Sequence, residues 1–230
     1  MKYLLLLLLT CLLLFACNRT LEIPPRPPIT ENLYPIVNQK YRIYEVFDTT
    51  YNLSLSGGID TISRKYYKKE VTNGEDDDIL GRKISRLEIY EADTLTDSAF
   101  TFTKLWTQFR DASYAERIEG NVRILVLGFP IHKDTKWNGN EFNHTGLETF
   151  QYENLDTTVI LPNLPTFNKC VLVRQRLSKS AINEIDTYEI YAPGIGKIVR
   201  YDRQIKTKNG LILNDAESYG YSETLIQHNY

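Results

Sequence analysis

In several segments apolar and polar side chains alternate with a period of two, the mark of strands with one covered face. In Phe100–Trp106, the residues Phe100, Phe102 and Trp106 share one face, and in Tyr219–Leu225 so do Tyr219, Tyr221 and Leu225. Val122–Phe129 is almost continuously apolar, which suits a strand covered on both sides. The pattern predicts strands near 41–47, 58–71, 82–91, 99–109, 121–129, 169–177, 184–191, 196–207 and 217–226. Turn signals separate them: Ser56-Gly57-Gly58, Asn73-Gly74, Asn138-Gly139 and Asn209-Gly210, where Asn-Gly tolerates positive φ at both positions. One short helix is placed at 111–119 or 155–165. No segment holds a 3.6-residue period over three turns, and strands recur about every ten residues, the spacing of an antiparallel meander or sandwich rather than of βαβ units. The expected fold is mainly β: a single antiparallel curved sheet, half-barrel or sandwich, with few or no helices. Composition agrees, with 8 alanines against 21 isoleucines, 21 threonines and 16 tyrosines, a bias toward residues that fit a pleated surface.

The first residues follow another rule. Lys2 precedes an apolar run, Leu4–Phe15, interrupted only by Thr10 and Cys11. The run is too short for a membrane span of about 20 residues and fits a signal-peptide core of roughly 7–15. It closes with Leu14-Phe15-Ala16-Cys17, which resembles the bacterial lipobox. That resemblance implies cleavage after Ala16 and acylation, as by palmitate, of Cys17. Two or three acyl chains anchor a protein stably, since each buried methylene contributes about 0.8 kcal/mol. An Asp after the cysteine would favour inner-membrane retention; Asn18 stands there, so the outer membrane, facing the periplasm, is the expected site. Pro24, Pro25, Pro27 and Pro28 follow and favour extended polyproline II. The chain thus divides into a signal peptide at 1–16, a lipidated Cys17 with a proline-rich tether at 17–33, and an antiparallel β domain at 34–230.

Net charge is −2, and nothing basic enough to point to nucleic acid appears. With Cys11 cleaved away and Cys17 acylated, Cys170 is left alone, which rules out an internal disulfide or a cysteine-based metal cluster. It lies in Cys-Val-Leu-Val and reads as a buried, inert thiol. Glu75-Asp76-Asp77-Asp78 reads as an exposed hairpin loop after Asn73-Gly74, without the ligand spacing of a calcium loop. His132 and Asp134 flank Lys133, and a His with a carboxylate could act as general base beside a nucleophile. Neither a nucleophile elbow, a zinc motif, a phosphate loop nor a dinucleotide fingerprint accompanies them. Gly194-x-Gly196 reads as a bend entering a strand. No catalytic residue, metal site or cofactor is assigned. Tyr41, Tyr44, Tyr66, Tyr67, Tyr90, Tyr188, Tyr191, Tyr201, Tyr219 and Tyr221 fall on or beside predicted strands, either filling a sheet face or lining a ligand groove.

Gly128-Phe129-Pro130-Ile131-His132-Lys133-Asp134-Thr135-Lys136-Trp137-Asn138-Gly139-Asn140 resembles a stretch of a group of uncharacterised lipoproteins of Bacteroidetes, FP(I/V)-x-(K/E)-(G/D)-x-x-WNGN. Tyr188–Val199, with Tyr-Ala-Pro-Gly-Ile-Gly at 191–196, is similar to their YEVYAKGIGLVYKE. Tyr34–Val46 is similar to their YFPLKVGNYWIYEV. The resemblance implies a curved antiparallel β domain in the envelope and brings no activity with it. The function expected is that of a non-catalytic envelope lipoprotein, membrane-bound through its lipid, that binds a partner protein or an apolar ligand. A structural subunit of an envelope complex comes second, and a hydrolase using His132 or His144 third.

Overall fold

The computed structural model describes residues 32–53, 59–133, 135–209, 211–213 and 217–230. Cys17, the signal segment, the tether through residue 31, the Ser56-Gly57-Gly58 turn, Asp134 and Gly210 lie outside the described residues. Among the described residues thirteen strands follow one another: β1 (Tyr41–Leu53), β2 (Ile59–Asp77), β3 (Lys83–Ala92), β4 (Thr101–Arg110), β5 (Tyr114–Glu119), β6 (Val122–Gly128), β7 (Lys136–Asn138), β8 (Thr149–Val159), β9 (Phe167–Lys179), β10 (Asn183–Ala192), β11 (Gly196–Lys208), β12 (Leu211–Ile212) and β13 (Tyr219–His228). A single 3-10 turn, Asp97–Ala99, is the only helical element among the described residues.

All the ladders are antiparallel and belong to one sheet of order β6-β5-β4-β3-β2-β1-β13-β11-β10-β9-β8-β7, with β12 paired to β11 off this path. The meander is sequential except that β13 returns to pair with β1. The two ends of the path, β6 and β7, do not form a ladder, yet hydrogen bonds stitch them. Leu125 N donates to Gly139 O at 2.8 Å, Trp137 Nε1 to Leu125 O at 2.9 Å, and Asn143 Nδ2 to Arg123 O at 2.6 Å. The curved sheet therefore rolls almost into a barrel.

Three expectations are corrected. Both windows offered for a helix hold strand: β5 occupies 114–119 and β8 runs through 155–159. Asp111 supports the tight entry to β5, its carboxylate accepting from Ser113 N and Tyr114 N, so the chain turns without starting a helix. Asn73-Gly74 does not close a hairpin. It sits in a register shift inside β2, with Gly74 at φ +80 and the Arg86 guanidinium where a Cβ would lie. The acidic run is consequently no loop, since Glu75, Asp76 and Asp77 ladder with Ser85, Ile84 and Lys83. The real turn comes at Asp78, whose side chain accepts from Leu80 N and Arg82 N.

Two apolar clusters hold the walls. One gathers Leu33, Tyr34, Phe150, Tyr152, Val171, Val173 and Tyr191, with Trp137 packed against it. The other gathers Tyr44, Val46, Phe167, Cys170, Ile198 and Leu225. Each large apolar side chain so buried contributes about 1.5–3 kcal/mol. Cys170 is buried in the second cluster, and burial pushes its thiol up to about 11, which keeps it unreactive.

Candidate functional site

A wall of twelve strands encloses more width than aliphatic side chains can fill. The interior uses long ones whose stems reach inward and whose heads are charged. Along β2, Tyr66, Lys68, Glu70 and Thr72 are buried while Lys65, Tyr67 and Lys69 are not, so the period of two survives with charged residues on the inside. Glu70 and Glu223 share two lysines. Lys197 Nζ donates to Glu70 Oε1 at 3.1 Å and to Glu223 Oε2 at 2.6 Å. Lys68 pairs with Glu223 and lies 3.0 Å from Glu70. Arg42 adds a contact to Glu70 at 3.5 Å. The ring of Tyr44 lies under both ammonium groups, 5.1 and 4.9 Å away, and its hydroxyl donates to Lys197 O at 2.9 Å.

A second set lies across Trp106, which meets Lys68 at 5.5 Å and Arg117 at 5.9 Å. Arg117 donates to Glu119 at 2.6 Å and to Glu189 at 3.0 Å. Arg200 reaches the same two carboxylates at 3.4 and 3.9 Å. Burial opposes charge on every one of these groups, and for the carboxylates the cations prevail. Burial raises Glu119, but Arg117 and Arg200 outweigh it and hold the carboxyl at about 2. Burial likewise works against Glu70, Glu223 and Glu189, and their lysine and arginine neighbours carry all three below the ordinary range. The two lysines diverge. Burial is outweighed at Lys68 by Glu223 and Glu70, which raise it. At Lys197 burial prevails, helped by Lys68 and Arg117, and lowers it.

This lattice ends at a chamber. About 210 Å³ is left open between Arg117, Ile124, Phe150, Gln175, Arg176, Thr187, Arg200 and Asp202, with Asn140 and Glu148 at its rim. Asn140, Glu148, Gln175 and Arg176 also border an outer cleft of about 810 Å³, so the chamber opens toward the surface past them. The rim is latched by Arg176, whose Nε stands 3.1 Å from Glu148 and whose Nη2 donates to Asp202 at 3.0 Å and to Tyr219 Oη at 2.9 Å. Thr187 Oγ1 also donates to Asp202, at 2.9 Å.

The Trp-Asn-Gly-Asn turn builds that rim. Trp137 bonds across the seam and packs on Phe150 and Tyr152, at 6.2 and 4.8 Å between ring centroids. Gly139 lies so close to the Phe150 ring that a Cβ would fall 2.5 Å from it. Asn138 Oδ1 accepts from Asn140 N and Glu148 N, both at 3.1 Å, and so sets the loop that carries Glu148. Tyr-Ala-Pro-Gly-Ile-Gly has a similar local role. Gly194, at φ +75, makes the bend, and Gly196, which opens β11, leaves room for the Arg42 guanidinium.

The sequence-level candidates fare differently. His132 and His144 are both exposed, and neither imidazole bonds to a described residue. His228 packs against Phe167, and Asp134 lies outside the described residues. Among the described residues no group of His, Cys, Asp and Glu could hold a metal ion. All ten singled-out tyrosines lie on strands; Tyr44 and Tyr191 are fully buried, with Tyr66 nearly so. The ionic interior was not anticipated. Its only signal in sequence was the run Lys65-Tyr66-Tyr67-Lys68-Lys69-Glu70, polar on both faces of a strand too well paired to be a loop.

No protein-family model matches the chain, and no curated protein does either. Among solved structures it aligns with one described as a "putative lipoprotein from Parabacteroides distasonis", at 11% identity and a TM-score of 0.41, covering 86% of this chain and 99% of that one.

Proposed function

We propose that the chain is a non-catalytic lipoprotein of the bacterial cell envelope, anchored through Cys17 to the outer membrane and facing the periplasm, whose rolled sheet is a binding module. The anchor rests on Leu14-Phe15-Ala16-Cys17 after an apolar run of signal-peptide length. The binding role rests on one observation: the chamber of about 210 Å³ that lies behind the cleft and opens past Asn140, Glu148, Gln175 and Arg176. A concave pocket with a few convergent polar groups is a common place for a small ligand. The lining speaks for a polar occupant rather than an apolar one, because an apolar guest would strip water from guanidinium and carboxylate groups and give nothing back.

The test has two arms. Cys17→Ser should move the protein from the membrane to the soluble fraction; unchanged fractionation refutes the anchor. Ligands retained by the native protein should be detectable by native mass spectrometry; an empty protein that also yields no crosslinked partner refutes the binding role.

One feature favours a protein partner as a second reading. The β2–β3 turn carries Ile79, fully exposed, and Leu80, 66% exposed, beside the acidic Glu75–Asp78 run. Exposed apolar residues with a charged rim suit a docking contact. Crosslinking in cells should then give one abundant partner that Ile79→Asp with Leu80→Asp abolishes.

A further inference from the structure

The chamber walls are compensated for charge. Arg117 and Arg200 are neutralised from behind by Glu119 and Glu189, and Arg176 is held by Glu148 and Asp202. An anion entering would meet the carboxylates of Glu148 and Asp202, and a cation would meet three guanidiniums. Either would have to break an existing ion pair. The lining nonetheless has hydrogen-bonding capacity to offer. Gln175 brings an amide that both donates and accepts, and Asn140, which donates to Glu148 at 3.5 Å and accepts from Asn143 Nδ2 at 2.9 Å, keeps one N–H and one lone pair. Arg200 Nε is buried without a hydrogen bond among the described residues. One side of the chamber is different, because Ile124 and Phe150 give it an apolar patch. At about 30 Å³ per water, the chamber has room for about seven waters, the scale of one sugar ring with its hydroxyls.

We infer that the chamber binds a neutral polyhydroxylated ligand, a single sugar ring. Its hydroxyls would meet Gln175, Asn140, Arg176 and Asp202, and its C–H face would lie on Phe150 and Ile124. Hydroxyls both donate and accept, so they can satisfy a wall that holds donors and acceptors together without bringing charge. A site built this way rejects analogues that lack those groups, because its own polar atoms are then left unpaired. The outer cleft, about 810 Å³, has room for further residues of the same glycan, whose terminal ring would be the part that enters. The inference deepens the binding-module reading and rests on it.

The experiment uses the mature lipidated protein in a sugar-free detergent, with calorimetry and saturation-transfer NMR. The probes are glucose, galactose and N-acetylglucosamine as neutral rings, glucuronate and glucose 6-phosphate as anionic ones, and decanoate as an apolar guest. Saturable binding of at least one neutral ring is expected, weakened at least tenfold by Gln175→Leu with the melting temperature unchanged, and also by Asn140→Ala. Preference for an anionic sugar, or for decanoate, overturns the sugar assignment and leaves the binding module standing. Neutral-ring binding insensitive to both substitutions places the ligand elsewhere and overturns it too. Binding of no probe overturns it as well, and if the native protein also carries no ligand or partner, the binding-module reading falls with it.

Discussion

Leu225 and Glu223 stand two residues apart on the same inward face of β13, and both have no exposed surface. Leu225 packs with Tyr44, Val46 and Ile198 in an apolar cluster. Glu223 takes Lys68 and Lys197. The comparison separates two ways of filling an interior. The apolar region gains by removing surface from water, and its cost on truncation depends on how well neighbours collapse. In the ionic region each charge has lost its hydration and keeps only its partners, so the lattice need not add net stability while intact. Breaking it at one point is another matter, because the orphaned charge cannot return to water.

Acid should break the comparison most completely. Glu70, Glu119, Glu189 and Glu223 titrate lower in the folded chain than their ordinary 4.5, so below that value the unfolded chain binds more protons than the folded one. Their contribution is present above about pH 5 and lost as pH falls from 4.5 through about 2, where Glu119 sits. Urea unfolding followed by tryptophan fluorescence should show a midpoint flat above that window and falling within it. A midpoint unchanged down to pH 2 would mean the lattice is solvated. Next comes Glu223→Ala, which leaves Lys68 and Lys197 to share Glu70; a loss of about 3–5 kcal/mol is expected, read by the same unfolding curves. Leu225→Ala, two residues away, should cost about 3 kcal/mol without altering the acid profile, and this sharpens the distinction. The smallest effect belongs to the seam. Trp137→Phe removes the bond to Leu125 O and should cost about 1 kcal/mol, with faster hydrogen exchange at the Leu125 amide as its signature.

The contrast also explains what could be read beforehand. On β13 the alternation of Tyr219, Tyr221 and Leu225 shows the strand, although Glu223 stands among them on the same face. At β2 the inner face is Tyr66, Lys68, Glu70 and Thr72, so hydropathy gave no sign of which side was covered; only burial in three dimensions distinguishes Lys68 from Lys69. β8 hid for another reason. It carries three register shifts against β9 and a positive φ at Asp156, which scramble the period over 149–159. Asn73-Gly74 has the right chemistry for a turn and uses it for a bulge, because the strand continues into pairing with Lys83–Ser85. The Trp-Asn-Gly-Asn turn was legible as a turn. Its place at the chamber rim was not, since that depends on Phe150 and Glu148 arriving from the next strand and loop.

The β1–β13 ladder joins the beginning of the domain to its end, from Arg42 opposite His228 to Thr50 opposite Tyr219, and Lys40 Nζ donates to Asn229 O at 2.5 Å. Pairings so distant in sequence form slowly, because a long loop must close first. A chain made N-terminus first holds β1 with one side unsatisfied until β13 has followed. The topology thus postpones completion of the fold to the last long strand, and a nonsense change ahead of β13 would leave two raw strand edges, on β1 and β11.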